Sequence, residues 1–427
     1  MKKTNFRWVL GVLGFLIMLV AYMDRVNLSV ATPIIMSEFN FSKMEIGMLQ
    51  TCFFVSYAAM QIPGGIMSDF FKHRVVVTGA VTWWSIFTGL TAYCSSFTGF
   101  AVVRALFGLG EAPVLPALTA FVGRWFPGKE KGRASSMLLA GCYIGPAFGL
   151  GMTVAIMAAL GWREVFILYG IGGIFFAAAW YLLAKVSPKE SSFVNQAELD
   201  YIEEGRGEDA KGEIAPWSNF FKSSQFWAIG ILVLVADYVM YVYLVWLPLY
   251  LMEAQGFSLT EMGISASLPW IALTVCTLAT GWIGDHLVAA GYSKKQARSY
   301  LGVSGFAGCG IFLYLGAMAT NPSLNVLWLT LSLGSLGFSF ASAWGAAFDI
   351  GGKYVGSVTG WINFGGNMGG VFAPVITAWL VTSFGWQTAI LVTSSFTLIG
   401  AIACLMVKPD IPLKLQKNEE AELTKSA

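Results

Sequence analysis

In this chain of 427 residues, 56% are hydrophobic and only 12% are charged. A soluble protein carries about a quarter charged residues, so the apolar surplus must face lipid, which excludes an ordinary water-soluble enzyme or a nucleic-acid-binding module. The net charge of +2 says little about partners; the placement of the charges says much more.

Sixteen Trp and 48 Gly suit a helical membrane protein, where small residues let helices approach and Trp marks the interfaces. The opening "MKKTNFRW" has the basic character of a signal peptide. The apolar run behind it is too long for that role and lacks a small-residue cleavage pattern, so it is expected to be a retained first span. A bilayer core of about 30 Å needs roughly 20 apolar residues per helix. Runs of that length fall at 8–31, 46–67, 75–94, 97–122, 135–158 and 164–185, then at 225–252, 262–288, 300–319, 324–347, 355–381 and 388–407. The fold class is therefore all-α membrane protein, with twelve transmembrane helices in two pseudo-symmetric six-helix bundles. The bundles are expected at 1–185 and 225–410, joined by a linker at 186–224 and followed by a cytoplasmic tail at 411–427. The linker's mixed charges predict helix outside the membrane.

With the N-terminus in the cytoplasm, 22 of the 26 Lys and Arg fall on that side. Only Lys43 and Arg163 lie opposite, and Arg25 and Arg104 lie within spans. This asymmetry places both termini inside. Gly65 and Asp69 after the second span are matched by Gly281 and Asp285 after the eighth, at the same internal spacing and about half the chain later. A parallel repeat of this kind is the organisation of a carrier with its site between two halves. The six cysteines lack metal-ligand spacing and are expected as free thiols. His73 and His286 are placed in loops, and no zinc site, other metal or cofactor is expected.

Twelve spans, a central linker and the Gly-x-x-x-Asp loop with basic residues behind it resemble the major facilitator superfamily. "YMDR", "QIPGG", "RALFGLGEAP" and "GWINFGGNMGG" resemble its anion:cation symporter branch, most nearly the bacterial sugar-acid symporters for galactonate, hexuronate and glucarate. The mammalian sialic-acid and vesicular carriers are more distant. The resemblance covers nearly the whole chain and implies a multi-pass protein of the bacterial inner membrane. It implies import of a small organic anion, such as a sugar acid, with protons by alternating access, and a monomer in lipid with no nucleic-acid partner. An aromatic acid, a sulfonate or another carboxylate, carried alone or by exchange, is the alternative substrate class. A channel or sensor is a further alternative. An enzyme is not expected, because no convergent nucleophile or metal set is present.

Asp24 and Arg25 lie deep in the first span, where ionisable groups are costly and line pathways. Tyr22, Arg25 and Ser29 share one helical face, and Asp24 and Asn27 another. In the fourth span Arg104, Gly108, Glu111 and Leu115 form one stripe. Equal estimated depths predict that Asp24 faces Arg104, with Glu111 deeper and without a fixed partner. The resemblance assigns Arg25 to the substrate anion and Asp24 and Glu111, with Arg104, to proton coupling. It adds Tyr22, Tyr57, Trp344 and Asn363 as substrate-binding residues, and Gly65, Asp69, Arg74, Gly281 and Asp285 as a cytoplasmic gating loop. Two features depart from the branch. Cys142 stands where sugar-acid carriers often have glutamine, and Asp237 lies near the middle of the seventh span, as a candidate substrate or proton site. "GCYIGPAFGLG", with Gly145, Pro146 and Gly149, resembles the fifth-helix motif of superfamily antiporters.

Overall fold

The computed structural model describes residues 3–204 and 217–413, and no strand occurs among them. The expected tail beyond residue 413 and the middle of the linker lie outside the described residues.

The apolar runs fold as helices whose ends are set by local chemistry. α1 (Phe6–Phe39) stops at Asn40, which takes the left-handed conformation (φ 53°) that asparagine tolerates. α2 (Lys43–Phe70) begins in a capping box. There the Ser42 hydroxyl accepts the Glu45 N–H and the Glu45 carboxylate accepts the Ser42 N–H, satisfying two helix-end donors. α3 (His73–Thr91) leads to α4 (Phe97–Trp125), which is broken at Ala112–Pro113 into Phe97–Glu111 and Val114–Trp125. α5 (Gly128–Leu160) and α6 (Trp162–Leu183) complete the first bundle. The second holds α7 (Ser224–Glu253), α8 (Leu259–Ala289), α9 (Lys295–Met318) and α10 (Pro322–Gly351). Its last helical stretch, Val355–Met406, is interrupted at Gly385 (φ 84°). This gives α11 (355–384) and α12 (386–406).

Nine helical stretches among the described residues are long and apolar enough to cross a membrane. The longest of them holds two spans, and α2 and α3 complete the twelve. An even number returns the chain to the side it started from. His73 and His286, expected in loops, instead fall on α3 and α8, because those helices extend past their apolar runs.

Two compact units result, one of residues 1–210 with 251–267, the other of 211–250 with 268–427. Internal repetition is explicit in local structure. "FSKMEIG" at 41–47 and "FSLTEMG" at 257–263 each start a helix with the same Ser–Glu capping box. "LGWRE" at 160–164 and "FGWQT" at 384–388 each turn on a glycine with positive φ, Gly161 at 113° and Gly385 at 84°.

Helix contact in each unit depends on glycine. On α5, an added Cβ at Gly141 or Gly145 would meet the α1 backbone at 2.8 Å (Phe15 O) and 2.7 Å (Leu19 O). On α11, Gly365 and Gly369 stand in the same relation to Gly230 O and Leu234 O of α7. Small residues at four-residue spacing let helix axes come close, which in lipid replaces the missing hydrophobic drive.

Each unit is tied at the side of its termini by a polar strap. In the first, a short helix of the linker, Gln196–Glu204, carries the fully buried Glu198. Its carboxylate accepts the Phe6 and Arg7 N–H groups, the Thr4 hydroxyl and Arg7 Nη1 at 2.6–3.2 Å. It thus caps α1 from outside that helix. In the second, Asp410 accepts the N–H groups of Lys294 and Lys295, while the Gln225 side chain bonds Lys408 N and Ile411 O.

Candidate functional site

The polar residues of α1, α2 and α4 meet inside the first bundle. Asp24, Arg25, Asn27, Ser29, Gln50, Arg104 and Glu111 are all buried. Arg25 is held by Glu111: its Nε and Nη2 donate to Glu111 Oε1 at 2.8 and 2.5 Å. This corrects the expected geometry. Glu111 was expected to lack a fixed partner and Arg25 to await an external anion, yet each is the other's partner. The physical reason is burial: both side chains are buried, where a charge without a partner is costly, and the α4 segment that carries Arg104 and Gly108 runs unbroken to Glu111, which reaches Arg25 of α1. The proline that follows, Pro113, also packs on α2, where a Cβ added at Gly64 would meet its Cα at 3.0 Å.

Arg104 does not close an ion pair with Asp24 either. Its Nη2 donates to the Gln50 amide oxygen at 2.7 Å, and Gln50 Nε2 donates in turn to Ser29 Oγ at 3.4 Å. Asp24 receives a long hydrogen bond from Asn27 Nδ2, 3.4 Å, one helical turn on. Its second oxygen has no hydrogen-bond partner among the described residues, and the same holds for Arg104 Nε and Glu111 Oε2. Four ionisable groups thus share one buried compartment with balanced formal charge, and only one pair is closed.

Aromatic rings separate the two guanidinium groups. Arg25 lies 4.2 Å from the Tyr22 ring centroid, 4.8 Å from Tyr57 and 5.1 Å from Phe53. Arg104 lies 5.0 Å from Phe53 and 5.1 Å from Phe107. Phe53 therefore faces both cations, and ring faces attract cations more strongly when both are desolvated. Tyr22 also lies beside the buried Cys142 thiol of α5. Gln50 and Phe53 were not singled out from the sequence. Their signal was a Gln-x-x-Phe-x-x-x-Tyr stripe on one face of α2, one amide in an apolar run.

In the second unit Asn363 and Trp344 are half-buried. Asn363 offers its backbone oxygen to Asn367 Nδ2 at 2.9 Å. Asp237, on α7, is half-buried and directed at α11, where a Cβ added at Gly366 would overlap its Oδ2. The glycine patterns align this contact with that of the first unit. As Gly145 faces Leu19 O, Gly369 faces Leu234 O. Three residues earlier stand Cys142, beside Tyr22, and Gly366, beside Asp237. Asp237 therefore occupies the place in the second bundle that Tyr22 occupies in the first.

The residues expected in a gating loop fall on helix ends. Gly65 and Asp69 lie in the last two turns of α2, and the Asp69 side chain lies outside the described ones. Arg74 turns away to Tyr181, donating from Nε to its backbone oxygen at 2.7 Å and covering its ring at 4.1 Å. Gly281 and Asp285 lie on α8, and Asp285 accepts from Arg298 Nη2 at 2.8 Å. Arg298 Nε approaches Asp349 at 3.5 Å.

The family model of the Major Facilitator Superfamily matches residues 14–373 and 349–426. The chain belongs to the major facilitator superfamily. As a superfamily member it is a multi-pass membrane transporter rather than an enzyme. It is 31% identical to the probable sulfoacetate transporter of Cupriavidus necator over 94% of this chain and 93% of that one. It is 29% identical to the D-galactonate transporter of Escherichia coli over 96% and 97%, and 31% identical to the chloroplastic ascorbate transporter of Arabidopsis thaliana over 93% and 74%. Among solved structures, the superfamily fold is shared with a bacterial homologue of the human lysosomal transporter Spinster. The TM-score is 0.78 at 16% identity, over 95% of this chain and 97% of that one.

Proposed function

We propose that this superfamily member imports a small organic anion, a sugar acid, together with protons, by alternating access and without a cofactor. The observation that carries the reading is the buried Arg25–Glu111 pair. A guanidinium is a planar fork matched to a carboxylate, and here an internal carboxylate already occupies it. Arg25 is the substrate's anchor, and Glu111 competes with the substrate for it. A proton on Glu111 removes the competing charge and releases Arg25 to an incoming anion. Proton and anion therefore favour each other's binding, which is the coupling that symport requires. Asp24 serves as a second proton site, biased by Arg104. Tyr22 and Tyr57 wall the anchor, and Asn363, Trp344 and Asp237 act in substrate binding. Gly65, Asp69, Arg74, Gly281 and Asp285 act in closing the cytoplasmic side. The protein works as a monomer in a bacterial inner membrane, and the excess of Lys and Arg on one side supports the orientation with both termini in the cytoplasm.

The sugar-acid reading is supported by the galactonate relative and by the amide of Asn363, which can bond hydroxyl groups. A second reading, a small sulfonate, is favoured by the sulfoacetate relative and by Cys142, which offers no amide. Thermal-shift measurements on the purified protein with D-galactonate, sulfoacetate and ascorbate separate them. Stabilisation by D-galactonate alone is expected, and stabilisation by sulfoacetate alone would replace the substrate class. Loss of that stabilisation in Arg25→Ala is expected for either anion.

A further inference from the structure

We propose that Gln50 is the positioning residue that holds Arg104 apart from Asp24 and so leaves the Asp24 carboxyl free to exchange a proton. The inference rests on the reading of Asp24 as a proton site. Gln50 is 1% exposed, and a buried amide must find partners at both ends. Its oxygen accepts Arg104 Nη2 at 2.7 Å and its nitrogen reaches Ser29 Oγ at 3.4 Å. The residue therefore links α4 to α1 through α2, with the amide oriented oxygen-first toward the cation. Phe53, one turn further along α2, covers the same guanidinium.

The choice of an amide matters because it is neutral. A carboxylate in that place would quench the charge of Arg104. An apolar side chain would leave Arg104 without its acceptor, and of the two carboxylates of the compartment with an open oxygen, Asp24 and Glu111, only Glu111 is already paired with an arginine, which leaves Asp24 as the partner for Arg104. A closed Asp24–Arg104 pair would fix Asp24 as an anion, since an opposite charge at contact favours the charged form of a carboxyl by about one to three pH units. With Gln50 present, Arg104 acts on Asp24 through space and does not neutralise it by contact. Arg104 is also faced by Glu111, Arg25 and Cys52. Asp24 is also faced by Glu111, by the Trp84 indole and by the Tyr169 hydroxyl.

The test needs no substrate. An infrared difference titration of the detergent-solubilised full chain follows the protonated-carboxyl band of Asp24, assigned by adding Asp24→Asn in each background. In Gln50→Glu, which preserves side-chain shape and cancels the charge of Arg104, the midpoint of that band moves toward alkaline pH. In Gln50→Leu, which releases Arg104 to Asp24, it moves toward acid. Each shift is about one pH unit or more. A purely structural role moves melting temperature without displacing the midpoints in opposite directions. If Gln50→Leu does not fold, the shape-preserving Gln50→Glu decides alone. Unchanged midpoints, or shifts in one common direction, overturn the role of Gln50. A chain with no Asp24-dependent band at any accessible pH overturns the reading of Asp24 itself and the inference with it.

Discussion

Truncating Glu198 to alanine tests how the helix that carries Asp24 and Arg25 is held at its start. The carboxylate is fully buried and makes four hydrogen bonds, two to α1 backbone donors, one to Thr4 and one to Arg7. Removing one partner of a buried ion pair costs about 3–5 kcal/mol. Arg7 would keep Glu130, to which Nε and Nη2 donate at 2.8 and 3.1 Å. The low end of the range, about 3 kcal/mol, is therefore expected. At roughly 2–4 °C per kcal/mol for a unit of about 200 residues, the melting temperature of the purified protein falls by about 6–12 °C. The assay is a thermal melt of Glu198→Ala against the unmodified chain in the same detergent. Glu198→Gln should lose less, because the amide keeps the shape and one acceptor oxygen. A loss below about 2 °C in Glu198→Ala would refute the reasoning, since a mixed-charge linker lying free in solvent predicts that result.

Other consequences follow from the same geometry. The hydrogen bond from Arg7, outweighing burial, holds the Glu130 carboxyl below its usual range. A depressed folded value stabilises above the unfolded pKa and is lost as pH falls through the folded one. The melting deficit of Glu130→Gln should thus be constant above the ordinary carboxylate range and vanish as pH falls through the depressed folded value, and a deficit that grows on acidification would contradict this. Gly366→Ala should cost about 1–3 kcal/mol by overpacking against Asp237, and Asp237→Ala in the same chain should recover most of it in a double-mutant cycle of melting temperatures. Additive losses would mean that Asp237 can move aside freely. Arg25→Lys should weaken D-galactonate binding by about 1.5–3 kcal/mol, roughly 10- to 100-fold, in a titration calorimeter; unaltered affinity would remove Arg25 as anchor.

The twelve spans were legible because lipid imposes one length and one composition on every helix, and the matched Gly–Asp spacings already disclosed the two halves. Asp24, Arg25, Arg104 and Glu111 stood out for the converse reason, as charges in segments that exclude them. Their pairing was not legible. Depth along a span can be estimated from rise per residue, but who meets whom depends on rotation. Gln50 was hidden because one amide in an apolar run is a weak signal, even on the stripe it shares with Phe53 and Tyr57. Glu198 was hidden because a mixed-charge run reads as a solvated face. The connection between the last two spans was legible at 382–387, but not that helix runs up to it on both sides and turns on the single glycine Gly385 at positive φ.

The central claim is that Glu111 holds Arg25 until a proton releases it. Glu111→Gln fixes the protonated form, and in reconstituted vesicles two fluxes of labelled D-galactonate are measured side by side. Counterflow against unlabelled D-galactonate should persist near the unmodified level, because the anchor is open and the carrier still cycles loaded. Accumulation driven by an imposed pH gradient should disappear, because the proton no longer comes and goes with the anion. Gradient-driven accumulation at the unmodified level in Glu111→Gln would contradict the account.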